Sequence, residues 1–70
     1  MDIPDNWALI DSDNSGYALY RNQLGAEVWK LGTGEWTGTE RIGRRPVWIG
    51  RYAERHEAMA VADGAEVALP

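Results

Sequence analysis

The sequence predicts an α+β domain, in which an antiparallel meander of three to four strands carries one C-terminal helix packed on one face. Short hydrophobic runs alternate with glycine-containing polar turns through residues 7–52, which is typical of strands. Residues 53–64 then contain few β-branched residues and many good helix formers. A chain of 70 residues has the length of one small domain, so residues 1–70 are predicted to fold as a single unit.

The predicted strands follow one another with short connections. In chain order they are WALID (7–11), YALYR (17–21), AEVWKL (26–31) and VWIGRY (47–52). NQLG (22–25) is predicted to be the hairpin loop between the second and third strands. EWTGT (35–39) is predicted to be a short strand or an extended loop, and ERIGRRP (40–46) a loop that ends at a proline.

The helix is predicted from the spacing of its small apolar residues. Ala58, Met59 and Ala62 share one face at helical spacing, and the two alanines suit close packing onto a sheet. Gly64 is placed to end the helix as a C-terminal cap. Residues 66–70, EVALP, are predicted to be either an additional edge strand or a loose tail.

Composition excludes several kinds of site. The chain has no cysteine, and His56 is its only histidine, so disulfides, thiolate zinc sites and histidine-rich metal sites are excluded. No apolar run approaches the roughly 20 residues of a membrane helix. The acidic start, MDIPDNW, lacks the basic and apolar regions of a signal peptide. We therefore expect a cytoplasmic protein with no cofactor and no membrane partner.

One stretch resembles half of a calcium-binding loop. Asp11, Asp13 and Ser15, followed by Gly16, have the spacing with which an EF-hand loop begins. Such a loop needs a bidentate glutamate at its twelfth position, and this chain has Asn22 there. Asp, Asn, Ser and Gly are also the residues that dominate turns. We predict a polar turn between the first two strands, and no metal site.

Catalysis is not predicted either. His56 lies between charged residues on the polar side of the predicted helix, and no glycine elbow surrounds Ser12 or Ser15. The glycines of GTGEWTG do not have the spacing of a phosphate loop, and the P-loop lysine is missing. We expect no catalytic residues, and therefore a binding protein instead of an enzyme.

Aromatic residues and charge give the positive signals for binding. The chain has four tryptophans, three tyrosines and no phenylalanine, and tryptophan and tyrosine are enriched at interfaces. Strand alternation is expected to place some of them on the sheet face away from the helix. Residues 1–16 contain four aspartates and no basic residue, whereas residues 41–55 contain five arginines and one glutamate. This pattern predicts a bipolar surface on a chain with a net charge of −4.

The arrangement of three strands followed by RYAERHEAMAVADG resembles two DNA-binding domains, the plant ethylene-response-factor type and the arm-binding domain of phage integrases. The resemblance covers residues 17–63 in layout, with WTG (36–38) and the pattern of Glu57, Ala58 and Ala62 as its motifs. It implies a three-stranded sheet that lies in the major groove and a helix behind it. The chain departs from those basic domains in being acidic, although DNA binding depends on neutralising phosphates.

A second resemblance is one of character. Small, acidic, cysteine-free, tryptophan-rich chains are similar to phage-encoded inhibitors of the anti-CRISPR kind, which implies a protein that binds an effector complex and blocks its nucleic-acid site as a DNA mimic. This non-enzymatic inhibitor, a monomer or homodimer, is the first hypothesis. Its candidate binding residues are Asp2, Asp5, Asp11, Asp13, Glu35, Trp36 and Glu40.

The alternative hypothesis is a small DNA-binding domain of the integrase-arm or ethylene-response-factor layout. It would contact a groove with its arginine-rich strand, so nucleic acid itself would be the partner. The candidate nucleic-acid-binding residues are Arg41, Arg44, Arg45 and Arg51.

Overall fold

A computed structural model describes residues 3–64 of the chain. Its elements are β1 (Trp7–Ser12), β2 (Ala18–Asn22), β3 (Glu27–Lys30), β4 (Trp36–Ile42), β5 (Arg45–Tyr52) and α1 (Arg55–Ala62). The strands form one antiparallel sheet in the order β1-β2-β3-β4-β5. The predicted α+β class and the antiparallel meander are confirmed. Asp2 and the segment 66–70, for which an edge strand or a tail was predicted, lie outside the described residues.

The predicted strand count was too low, because the sheet has five strands instead of three to four. Residues 40–46 were predicted to be a loop, but they form the end of β4, a two-residue turn and the start of β5. Gly43 has φ of 65° and the Arg44 that follows it has no positive φ, which is the pattern of a type II′ hairpin turn. Pro46 is compatible with β5 because β5 is an edge strand, where one side of the backbone needs no partner.

The helix occupies most of its predicted range and ends as expected. Residues 53–64 were predicted, and the helix extends from Arg55 to Ala62. The backbone N–H of Glu54 donates to Glu57 Oε1 at 3.1 Å, which satisfies a donor at the first turn. Asp63 is the C-cap, and Gly64 follows it with φ of 87°, a conformation that favours glycine.

One face of the sheet is covered by the helix, which contacts β3, β4 and β5. The predicted helix face is confirmed, since its two alanines and its methionine are buried. The buried hydrophobic residues are Trp7, Ala26, Val28, Ala58, Met59 and Ala62. We call the opposite side of the sheet, over which residues 3–64 place no helix, the open face.

Asp63 joins the end of the helix to the first two strands. Its Oδ1 atom accepts hydrogen bonds from Asn6 Nδ2 and from Asn22 Nδ2, both at 2.9 Å, and its Oδ2 atom accepts one from Trp7 Nε1 at 3.1 Å. Asn22 is buried, and its Oδ1 atom also accepts from the backbone N–H of Ala26 at 2.8 Å. Asp63 therefore joins the end of the helix to β1 and β2, and Arg55 at the start of the helix adds a link to β2 by donating from Nη1 to the Tyr20 hydroxyl at 3.0 Å.

Candidate functional site

The predicted acidic residues do not form one surface. Asp5, Asp11 and Asp13 lie before, in and after β1, at one edge of the sheet, whereas Glu35 precedes β4 and Glu40 lies within it. Neighbouring strands are about 4.8 Å apart, so β1 and β4 are separated by about 14 Å. Glu40 also lies on the helix side of the sheet, whereas Asp11, paired with Leu19, lies on the open face. The carboxylates are therefore spread over two faces and over strands that are not neighbours in the sheet.

Asp13 holds the turn between β1 and β2. Its Oδ1 atom accepts hydrogen bonds from Ser15 Oγ at 2.6 Å, from Ser15 N at 2.9 Å and from Tyr17 N at 3.2 Å. These bonds, that from the Ser15 hydroxyl first, lower the pKa of Asp13 below its ordinary value. The turn is therefore stabilised above the ordinary pKa of an aspartate, and this contribution is lost as the pH falls through the lowered value.

The stretch that resembles a calcium loop begins at Asp11 within β1, and from Asp13 onward it is the connection between β1 and β2 that the turn interpretation predicted. Its central carboxylate bonds to its own turn. Within residues 3–64, no group of three or more His, Asp or Glu side chains is placed to hold a metal ion.

Trp36 lies on the helix side of the sheet, at the start of β4. It is half-buried against the core cluster, and its ring centroid is 6.0 Å from that of Tyr20, at an interplanar angle of 47°. This placement is that of a packing residue, whereas Trp36 was among the candidate binding residues predicted from the sequence.

Trp36→Ala is expected to lower the free energy of unfolding by about 2 kcal/mol, since a half-buried aromatic loses less than a fully buried one. Urea unfolding followed by circular dichroism measures it. Leu24→Ala is the control, because Leu24 is 72% exposed and should change stability by less than about 0.5 kcal/mol. Equal, negligible effects in both variants would contradict the packing role.

The open face is organised in two rows that run across the strands. Directly paired residues share a face, so the register defines the rows from β2 to β5. The first row is Leu19, Trp29, Thr37 and Arg51. The second row is Arg21, Glu27, Thr39 and Trp48. Aromatic rings and arginines thus lie together on the side of the sheet that the helix leaves uncovered.

Trp48 is the most exposed aromatic residue among those described, and it is held in place. It is 63% exposed, and its Nε1 atom donates a hydrogen bond to Thr37 Oγ1 at 2.7 Å. Thr37 is buried, and its hydroxyl donates in turn to the carbonyl oxygen of Gly50 at 2.6 Å. Gly50, with φ of 96°, lies at the irregularity where β5 has one residue more than β4. Because of this bulge, Trp48 and Arg51 share a face although they are three residues apart.

The arginines of the open face make internal contacts. Arg21 donates from Nε at 3.0 Å and from Nη2 at 2.6 Å to Glu27 Oε2. Arg41 Nη1 donates to the carbonyl oxygen of Arg44 at 3.1 Å. Its Nε atom lies 3.2 Å from where a side chain on Gly25 would begin, so the glycine leaves room for it over the β2–β3 turn. Arg51 Nη1 is 4.0 Å from Glu35 Oε1.

A depression of about 480 Å³ lies beside the second row. It is lined by Arg21, Gly25, Glu27, Thr39, Arg41 and Pro46. Two guanidinium groups and one carboxylate therefore border the same open space. Because the Glu27 carboxylate is paired with Arg21, the remaining positive charge of this surface suits an anionic ligand.

The four predicted arginines are divided between two faces. Arg41, paired with Pro46, and Arg51, paired with Thr37, lie on the open face. Arg45 pairs with Ile42 on the helix side, and Arg44 lies in the hairpin turn. Arg21, Thr37 and Trp48 were not among the predicted site residues.

Comparison with models of protein families, with curated proteins and with solved structures finds no match for this chain. The fold is therefore described by its own elements, as an antiparallel five-stranded sheet with one helix. Across residues 3–64, no helix has the length and apolar character needed to cross a membrane.

Proposed function

We propose that the protein is a non-enzymatic nucleic-acid-binding module whose ligand lies on the open face. The observation that carries the proposal is Trp48, which is 63% exposed and fixed by its bond to Thr37. A ligand that covers this ring removes a large apolar surface from water, and exposed tryptophan beside arginine is a combination that suits bases and phosphates.

The distribution of charge along the sheet supports this proposal. Asp5, Asp11 and Asp13 are at the β1 edge, whereas the open-face arginines Arg41 and Arg51 are in β4 and β5, toward the other edge. A polyanion would therefore meet a locally basic surface in spite of the net charge of −4. The layout of a sheet with a helix behind it is also the one that the DNA-binding resemblance implies.

The inhibitor that mimics DNA stays a prediction. It requires a continuous acidic surface with an exposed aromatic residue near it. The described carboxylates are distributed over both faces, and Trp36 packs beside the core. For these reasons we give the nucleic-acid hypothesis first place.

The proposal is tested by fluorescence anisotropy with labelled oligonucleotides, both single-stranded and duplex, at low salt. Arg41→Gln combined with Arg51→Gln removes two charges from the open face. We expect this pair to weaken binding at least tenfold, because each lost phosphate contact forfeits counterion release. The matched control is Lys30→Gln combined with Arg45→Gln, which removes two charges from the helix side. No binding by the wild type, or equal losses in both pairs, would contradict the proposal.

Glu27→Gln is expected to strengthen the binding of either form of nucleic acid. Glu27 holds Arg21 through two hydrogen bonds and places a negative charge in the second row. A unit charge about 7 Å from a phosphate in water costs about 0.6 kcal/mol, so its removal should raise affinity about threefold at low salt. Glu40→Gln is the control, because Glu40 lies on the helix side. If Glu40→Gln raised the affinity by the same factor, the gain would come from net charge alone and not from the position of Glu27 on the open face.

A further inference from the structure

We infer that the open face binds single-stranded nucleic acid without sequence preference, with an unpaired base stacked on Trp48. This inference rests on the proposed function and specifies its ligand. It differs from the groove-bound mode that the DNA-binding resemblance implies, because the ligand supplies an unpaired base instead of the edges of base pairs.

The hydrogen bond of Trp48 determines which interactions its ring can still make with a ligand. Indole has one donor, Nε1–H, and this donor is committed to Thr37 Oγ1 at 2.7 Å. The ring therefore has no polar group left for the acceptors on a base edge. Its remaining exposed surface is the aromatic system, which interacts with bases by stacking.

Several other polar groups of the open face make hydrogen bonds within the protein. The Thr37 hydroxyl donates to Gly50, Arg21 donates twice to Glu27, and Arg41 donates to Arg44. Sequence-specific contact in a major groove depends on donors aimed at base edges, most often a bidentate arginine. On the open face the arginines retain their positive charge and the Trp48 ring is 63% exposed, and charge and stacking surface are the two ingredients of single-strand binding without sequence preference.

The order of the side chains along β5 fits a single-stranded nucleic acid that lies along this β-strand. Arg41 is paired with Pro46, so its position precedes that of Trp48, and Arg51 follows Trp48 after the bulge at Gly50. From residue 46 to residue 51, β5 extends over about 16 Å. A ligand along this edge would pass a cation, the aromatic ring and a second cation. This length suits only a few nucleotides, at or below the lower end of the roughly 4–16 nucleotides that an OB-fold domain covers.

The small number of cations predicts how binding responds to salt. If two or three phosphates are neutralised, the slope of log K against log salt for a single strand should be about −1.4 to −2.1. Binding should therefore be moderate and detectable at low salt.

The test compares an oligo-dT of ten nucleotides with a duplex of the same length, using the full chain. We expect the single strand to bind at least fivefold tighter than the duplex, and oligo-dA and oligo-dC to bind within about threefold of oligo-dT. Trp48→Leu should weaken single-strand binding about tenfold, since stacking on one base is worth about 1–3 kcal/mol. Trp48→Phe keeps an aromatic ring but lacks the hydrogen bond to Thr37, and it should retain most of the affinity.

Three results would contradict either the stacking inference or the proposed function. Tighter binding of the duplex, or a loss in Trp48→Phe as large as that in Trp48→Leu, would overturn the stacking inference while the nucleic-acid function stands. No binding of either form would overturn the proposed function itself. If Trp48→Leu does not fold, tryptophan fluorescence decides: oligo-dT should quench the wild type more strongly than Trp48→Phe, which keeps Trp29 on the open face, and equal quenching in both would overturn the inference.

Discussion

Gly38→Ala is expected to destabilise the fold by about 3 kcal/mol or more, because overpacking against an immobile backbone is costly. A Cβ atom at Gly38 would overlap the carbonyl oxygen of Glu27 and the Cα atom of Val28 on the neighbouring strand. These are backbone atoms in the middle of the sheet, so β3 and β4 would have to separate. A domain of this size has a total stability of roughly 4–10 kcal/mol, so the variant should lose a large fraction of it and unfold at a clearly lower temperature.

The matched control for this prediction is Gly32→Ala. A Cβ atom at Gly32 would have no heavy atom within 4 Å, and Gly32 does not have a positive φ, so alanine should be neutral or slightly stabilising. Thermal unfolding by circular dichroism measures both variants. A shift of about 4–8 °C per kcal/mol would place the melting temperature of Gly38→Ala more than about 10 °C below that of the control. Coincident melting curves would contradict the close approach of the two strands.

Asp63→Ala is expected to cost about 2–4 kcal/mol, since three hydrogen bonds to one carboxylate are lost together. Asn6, Trp7 and Asn22 would all lose an acceptor, and Asn22 is buried. The largest part of the cost is the Nδ2 group of the buried Asn22, which would lose its acceptor inside the protein. β1 should then detach from the helix end first, and the amide protons of β1 should exchange faster than those of β4.

Asp63→Asn separates the two contributions to this effect. The asparagine retains one acceptor oxygen and the shape of the side chain, so its cost should be about half that of alanine. Urea unfolding gives both values. If Asp63→Ala changed stability no more than Asp5→Ala, which alters an exposed aspartate outside the sheet, the joining role of Asp63 would be contradicted.

The sequence was sufficient to predict the class of the fold, the helix and its buried face. Helical spacing of Ala58, Met59 and Ala62 and the glycine at position 64 are local signals, and local signals determine helices well. The β4–β5 hairpin was missed because Pro46 and the charged residues around Gly43 were interpreted as a loop. A glycine followed by arginine is also the pattern of a type II′ turn, and an edge strand accepts proline.

The candidate site was harder to predict, because it depends on which residues share a face. Strict alternation would place Trp48 with Gly50 and Tyr52, away from Arg51. The bulge at Gly50 changes that parity, and an isolated glycine within a strand pattern was the available signal. The acidic residues were grouped by their proximity along the chain, whereas the sheet separates them across its width.

The most direct test of the central claim, that the open face holds the nucleic acid, is an NMR titration of the four tryptophan indole N–H signals with oligo-dT. Trp48→Phe assigns the Trp48 signal by its absence. The Trp48 signal should shift with saturable, salt-sensitive binding, while that of Trp7, bonded to Asp63 on the helix side, should stay unchanged. A shift of Trp7 with an unmoved Trp48 would contradict the claim, because the ligand would then lie away from the open face.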